Sequence, residues 1–342
     1  MQTRGPGPAC LHIVTGEGPA HGRQGHGTMV GVDGRAQAWF ERATSDGRDN
    51  DVAALVAAKR GRRVSVVIPA RNEEPTIGAI VAGIHDDLVR AHPLVDELVV
   101  IDSDSTDATS QVAADAGARV HSARSIRPDL DGYPGKGEAI WKSLFVTTGE
   151  LMVCIDADLT GWGTHFVPGL LGPLLNDERV RHVKGFYDRV LDDGSGLHAP
   201  QGGRVTELVA RPLLNLWRPE LAAVVQPLAG EWAVRRDTLS ALPVPTGYGV
   251  EIALLLDVHA RWGLDALAQV DLGARAHSHQ AVHDLGVMAT EIIEVAARRV
   301  GAPSSGAEDA TLWQYVRAAA PPWRGRDVPL RERPPAAGVA VA

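Results

Sequence analysis

Asp156 and Asp158 stand one residue apart at the end of the apolar run Leu151-Met152-Val153-Cys154-Ile155. A short apolar run bounded by turn residues reads as a buried parallel strand. Such strands deliver their last side chains into the crevice at the carboxyl edge of an open α/β sheet, where ligands bind. Two carboxylates held there can grip a divalent cation. Hard oxygen donors suit Mg²⁺ or Mn²⁺, and these ions also coordinate substrate phosphates, so the implied cargo is a metal–diphosphate complex. Taken alone, the pair reads more simply as an acidic strand-to-loop corner, because aspartate is common in turns. The rest of the chain reverses that preference.

Three further segments are expected at the same edge. They are Asn72 and Glu73 after one apolar run, Asp102 and Ser103 after the next, and Gly135-Lys136-Gly137 at a helix start. Carboxylates and hydroxyls can bind a ribose or the edge of a base, while a lysine between glycines at a helix N-terminus can approach a phosphate. Together they read as a nucleotide pocket.

The elements that must position these residues alternate. Val64 to Ile68 reads as a strand, Thr76 to Val89 as a helix, Glu97 to Ile101 as a strand and Ala108 to Ala116 as a helix ended by Gly117. A short strand at Arg119 to His121, a helix from Lys136 to Thr148 and the strand carrying the aspartates follow. Such alternation implies a mostly parallel sheet with right-handed crossovers. Ahead of it, Ala36 to Lys59 suggests one or two helices. Beyond it, helices are expected at Thr164 to Asn176, Val205 to Trp217, Gly249 to Trp262, Val282 to Val300 and Leu312 to Ala319, and strands at Val180 to Tyr187, Glu231 to Arg235 and Ala266 to Leu272. The Gly-, Pro- and His-rich residues 1–34 and the Pro- and Arg-rich residues 321–342 read as tails. His12, His21 and His26 are irregularly spaced and read as solvated tail residues rather than metal ligands.

With 342 residues, 44% of them hydrophobic, the chain can bury a large α/β core. A net charge of −8 argues against a nucleic-acid partner. Only Cys10 and Cys154 are present, so a disulfide framework is not expected, and Cys154 reads as a core residue. No run approaches the ~18 apolar residues of a membrane span, which points to a cytoplasmic protein without a membrane partner.

The chain resembles the GT-A glycosyltransferases, and more narrowly the glucosyl-3-phosphoglycerate synthases, kin of the mannosyl-3-phosphoglycerate synthases. The resemblance rests on Val64-Ser65-Val66-Val67-Ile68-Pro69-Ala70-Arg71-Asn72-Glu73-Glu74, Val95 to Ser103, Pro134-Gly135-Lys136-Gly137-Glu138-Ala139, Gly202 to Leu213, Gly247-Tyr248-Gly249-Val250-Glu251-Ile252 and Arg275-Ala276-His277. It implies a GT-A, Rossmann-like fold: a nucleotide-sugar-binding part over residues 35–200 and an acceptor-binding, helical part over 201–320. It also implies a retaining transfer of glucose from UDP-glucose to the hydroxyl of 3-phosphoglycerate, with Mg²⁺ or Mn²⁺, by a homodimer.

By the same resemblance Pro69, Ala70, Arg71, Asn72, Glu73, Ser103, Lys136, Asp156, Ala157 and Asp158 hold the nucleotide sugar. Asp158 and His277 hold the metal, while Gly203, Arg204, Val205, Thr206 and His279 meet the acceptor. Glu251 orients the acceptor hydroxyl, and Arg275, with the metal, neutralises charge on the departing diphosphate.

The chain also departs from the family. Ser278-His279-Gln280 stands where Arg-Asn-Arg is typical, Asp104 where glycine is usual, and Asp188 where a basic residue is usual. These differences bear on the acceptor more than on the donor. Two alternatives therefore stay open: a paralogue that glycosylates another small acid or uses another nucleotide sugar such as UDP-N-acetylglucosamine, and a non-catalytic nucleotide-sugar binding module. A nicotinamide-dependent oxidoreductase is disfavoured, because no G-x-G-x-x-G follows the first strand.

Overall fold

The apolar run at Val64 becomes a strand in the computed structural model, which describes residues 33–190, 203–276, 282–317 and 320–339. Helix α1 (Gly34–Ala43), the short strand β1 (Thr44–Asp46) and α2 (Val52–Ala58) lead to β2 (Val64–Ala70) and α3 (Glu74–Ile84). A π-type turn at His85–Ala91 extends α3. Next come β3 (Glu97–Asp102), α4 (Thr109–Asp115), β4 (Arg119–Ser122), α5 (Lys136–Ser143) and β5 (Leu151–Cys154). The second half runs α6 (Phe166–Asn176), β6 (His182–Val190), α7 (Arg211–Trp217), β7 (Trp232–Arg235), α8 (Arg236–Ser240), β8 (Val244–Pro245), α9 (Val250–Trp262) and β9 (Leu267–Ala276). Helix α10 (Val282–Val300) is followed by β10 (Asp309–Tyr315), β11 (Trp323–Pro329) and β12 (Glu332–Arg333).

Eight strands form one sheet in the order β1-β9-β6-β7-β5-β2-β3-β4, all parallel except β7, which runs against both β5 and β6. The inner strands are apolar on both sides because helices cover both faces. Val66 and Ile68 face Ile77, Ile80 and Leu170, while Val67, Val99 and Ile101 face Ile140, Trp141 and Leu255. Strands from both sides of residue 200 share this sheet. The chain leaves β2 toward β3 and β4, then returns to β5 on the opposite side of β2. That reversal makes the carboxyl ends of β2 and β5 the switch point of the sheet, the place where doubly wound sheets bind their ligands.

Three expectations are corrected. Leu312 to Ala319 is not helical: β10 occupies Asp309–Tyr315 and alternates between exposed and half-buried side chains, the period of two that its Thr, Trp and Tyr residues favour. The residues after Pro321 do not form a tail. Strand β11 pairs antiparallel with β10, β12 pairs with β8, and Arg333 is only 7% exposed because a buried carboxylate meets it. Finally, Val205 to Trp217 is not a uniform helix, since a π-type turn occupies Thr206–Ala210. Residues 1–32, the greater part of the expected N-terminal tail, lie outside the described residues.

Candidate active site

The loops leaving β2 and β3 are zipped together. Ser103 N–H donates to Ala70 O at 2.9 Å, Asn72 N–H to Ser105 Oγ at 2.9 Å and Glu73 N–H to Thr109 Oγ1 at 2.8 Å. Asn72 adopts a left-handed φ of 56°, and its Oδ1 accepts Thr106 N–H at 2.8 Å, so its side chain shapes the second loop from the first. Arg71 is exposed, Pro69 and Ser103 are half-buried and Ala70 is buried. Asp104 also has a left-handed φ, 61°, which explains glycine as the usual residue there, and its carboxylate pairs with Arg124 at 2.8 Å. Asp104 thus sits in the loop that carries Ser103.

Gly135 and Gly137 permit a close backbone approach. Gly135 has φ 130°, and a Cβ on it would overlap the Thr246 carbonyl; a Cβ on Gly137 would overlap that of Pro245. The first-turn amides of α5 are engaged as well. Gly137 N–H donates to Gly247 O at 3.2 Å and Glu138 N–H to Thr246 O at 2.8 Å. The glycines therefore let two backbone segments, 135–138 and 245–247, lie against each other.

That contact brings Lys136 to Glu251, the second residue of α9. Lys136 Nζ donates to Asp156 Oδ1 at 2.6 Å and lies 2.7 Å from Glu251 Oε1. Burial opposes its charge, but Asp156 and Glu251 overcome that and hold the ammonium protonated well above the ordinary lysine range. Gly230 leaves room for the Asp156 carboxylate, which a Cβ there would overlap. Beneath lies Lys184, 2% exposed, whose Nζ donates to Ala229 O. Burial lowers its pKa to about 8, and the nearby Lys136 charge acts in the same direction.

Ala157 is buried, and its carbonyl accepts Thr76 Oγ1–H at 2.7 Å, which ties the loop of the two aspartates to the first turn of α3. Glu73 precedes that turn. Burial raises its pKa to about 7, and the charges of Asp158, Asp156 and Asp107 push it the same way. Carboxylates that repel one another at a sheet edge are a donor set that a divalent cation relieves, and all-oxygen chemistry suits Mg²⁺ or Mn²⁺. The residues fit the implied metal, with Asp158 as the candidate ligand. No group of three or more His, Cys, Asp and Glu side chains with metal-ligand geometry is present among the described residues. A cation held by Asp158 would need further donors from substrate or from residues beyond that set. His277 and His279 lie outside the described residues; of Arg275, the backbone pairs with Arg189 between β9 and β6.

Of the residues expected to meet the acceptor, Gly203 is half-buried, Arg204 exposed, and Val205 and Thr206 buried at 8% and 3% exposure. Helix α10 packs against both the turn at Thr206–Ala210 and α9. From α10, Glu291 Oε1 accepts Gly249 N–H at 3.0 Å, directly beneath the Gly247-Tyr248-Gly249 loop that opens α9. Burial raises Glu291 to about 7.

Sequence reasoning missed Lys184, Gly230, Glu291 and Arg333. A lysine inside the apolar strand Val183-Lys184-Gly185 was a signal for the first. The other three carry none, because their partners are distant in sequence.

Residues 65–197 match the family model described as Glycosyl transferase family 2. Glucosyl-3-phosphoglycerate synthase of Mycobacterium tuberculosis is 51% identical over 258 residues, covering 75% of this chain and 79% of that protein. The synthase of Petrotoga mobilis is 44% identical over 242 residues, 71% of this chain and 74% of that protein. The crystal structure of the M. tuberculosis enzyme with Mn²⁺, UDP-glucose and phosphoglyceric acid aligns with a TM-score of 0.77 at 45% identity, over 86% of this chain and 98% of that one. A second, with Mn²⁺, UDP and glucosyl-3-phosphoglycerate, aligns at 0.75 and 44% identity, over 86% and 98%. With half its residues shared across three quarters of its length, the chain belongs to the glucosyl-3-phosphoglycerate synthase family of glycosyltransferases.

Proposed function

We propose that this protein transfers glucose from UDP-glucose to the 2-hydroxyl of 3-phosphoglycerate with retention of anomeric configuration and release of UDP. One observation carries the reading: Lys136 bridges Asp156, at the carboxyl end of β5, to Glu251, at the start of α9. Two segments that carry the family resemblance, Gly135-Lys136-Gly137 and Gly249-Val250-Glu251, thereby meet at one sheet edge, which supports a common centre for the UDP-glucose and phosphoglyceric acid bound by the M. tuberculosis enzyme.

Asp158 would hold the divalent cation, with His277 as its second ligand. When bound, the cation neutralises charge that grows on the diphosphate. Residues 69–73, Ser103, Lys136, Asp156, Ala157 and Asp158 would seat the nucleotide sugar. Lys136 keeps two carboxylates apart and oriented, and Glu251 orients the acceptor rather than attacking the sugar. The bond from the anomeric carbon to the diphosphate breaks as that carbon joins the acceptor oxygen on the same face, and the hydroxyl proton passes to a diphosphate oxygen. Gly203, Arg204, Val205 and Thr206 would hold the acceptor's anionic groups with His279, and Arg275 would assist the leaving diphosphate.

Among the described residues no helix is long and apolar enough to cross a membrane. A cytoplasmic homodimer is part of this proposal; Cys154 is a free, buried thiol, in keeping with a reducing compartment.

The test is UDP release from UDP-glucose with Mn²⁺, with and without 3-phosphoglycerate. Release that requires both the acceptor and the metal is expected, with loss on chelation. UDP binding without release for any of a panel of small hydroxy acids would favour a binding module, and release with a different acid would identify a paralogue.

A further inference from the structure

The C-terminal strand returns to the centre from the far end of the chain. Arg333 forks onto Glu138, with Nε to Oε2 and Nη2 to Oε1 both at 2.7 Å, and the two residues are 7% and 1% exposed. Its guanidinium lies 4.4 Å from the Tyr133 ring centroid and 4.8 Å from that of Trp141. Trp141 Nε1–H donates to Pro334 O at 2.8 Å. Backbone contacts close the circuit: Thr246 N–H donates to Arg331 O at 3.0 Å, while Thr246 O accepts Glu138 N–H at 2.8 Å. Residues 331–334 therefore clamp the first turn of α5 and the segment before α9 together. Those are the two elements from which Lys136 and Glu251 reach each other.

We propose that Arg333 and Glu138 are positioning residues for donor binding, acting through Lys136, so that the C-terminal strap is a working part of the active centre. A buried bidentate guanidinium–carboxylate pair fixes direction as well as distance, which a lysine ammonium cannot reproduce. Without the fork the start of α5 loses its orientation, and Lys136 no longer meets Asp156 and Glu251 together. The proposal rests on the assignment of Lys136 to the nucleotide-sugar site.

The experiment measures UDP affinity by calorimetry with Mn²⁺, and steady-state KM for both substrates, in R333K and E138Q. Each is expected to weaken UDP binding and raise the UDP-glucose KM about tenfold. In a K136M background R333K should then have no further effect on UDP affinity, because residues acting through one another are not additive. A lower melting temperature with unchanged UDP affinity would overturn the proposal, as would additive effects with K136M. Should R333K fail to fold, E138Q carries the same comparison. Wild-type protein that binds UDP but transfers nothing to 3-phosphoglycerate would defeat the proposed function while leaving the calorimetric test intact.

Discussion

The Lys136 ammonium lies 2.7 Å from the Glu251 carboxylate, so one ion pair joins the first turn of α5 to the first turn of α9. With Asp156 at 2.6 Å on its other flank, Lys136 screens two carboxylates that would otherwise face each other. Lys136→Met is expected to lower kcat/KM by ~100-fold or more and stability by ~1–3 kcal/mol, the latter because a carboxylate is left uncompensated in a poorly hydrated site. Adding Glu251→Gln should recover part of the stability and none of the activity. Denaturant unfolding and UDP-release kinetics read both, and a double variant less stable than Lys136→Met would contradict the pairing.

Gly137 provides a test of what the glycines are for. Within a helix, alanine is intrinsically favoured over glycine by ~1 kcal/mol. Here the added methyl would overlap the Pro245 carbonyl, and overpacking typically costs ~1–3 kcal/mol. Gly137→Ala should therefore destabilise the protein and raise the UDP-glucose KM, whereas Gly132→Ala, with nothing within 4 Å of its Cβ, should change neither. Thermal melts and donor KM values for the two variants decide it.

Glu291 imposes a pH dependence on stability. Its carboxyl is raised from 4.5 to about 7 in the folded protein, chiefly by burial. The native state then holds a proton that the unfolded chain releases between these values, so this group's contribution falls as pH rises through the window and is constant above it. The loss is at most ~3 kcal/mol. Glu291→Gln, which keeps an acceptor for Gly249 N–H, should flatten that slope in denaturation curves taken from pH 4.5 to 7.5. An unchanged slope would mean that other groups carry it.

Arg204 sits exposed at the start of the helix that leads into the Thr206–Ala210 turn, beside the buried Thr206. Arg204→Ala is expected to raise the acceptor KM by ~10-fold or more, the loss of one charge-assisted contact of ~1.5–3 kcal/mol, with the donor KM unchanged. An unchanged acceptor KM would place the anion site elsewhere.

Local pattern determined much of this protein. Val64 to Ile68, Glu97 to Ile101 and Leu151 to Ile155 are dense in β-branched or aliphatic residues because helices cover both faces of their strands. A strand's end fixes where the next side chains go, so Asp156, Asp158, Asn72 and Ser103 were legible as residents of one sheet edge. Where a partner lies far along the chain, local signals fall silent. The sequence marked Gly135-Lys136-Gly137 as special, yet only tertiary packing showed those glycines accommodating the carbonyls of Pro245 and Thr246. Likewise the Pro- and Arg-rich end read as a solvated tail from composition, and it took the buried Glu138 carboxylate, 195 positions away, to turn Arg333 inward. Charge counts report how much water a segment can attract; whether it keeps that water is decided by what the fold brings to meet it.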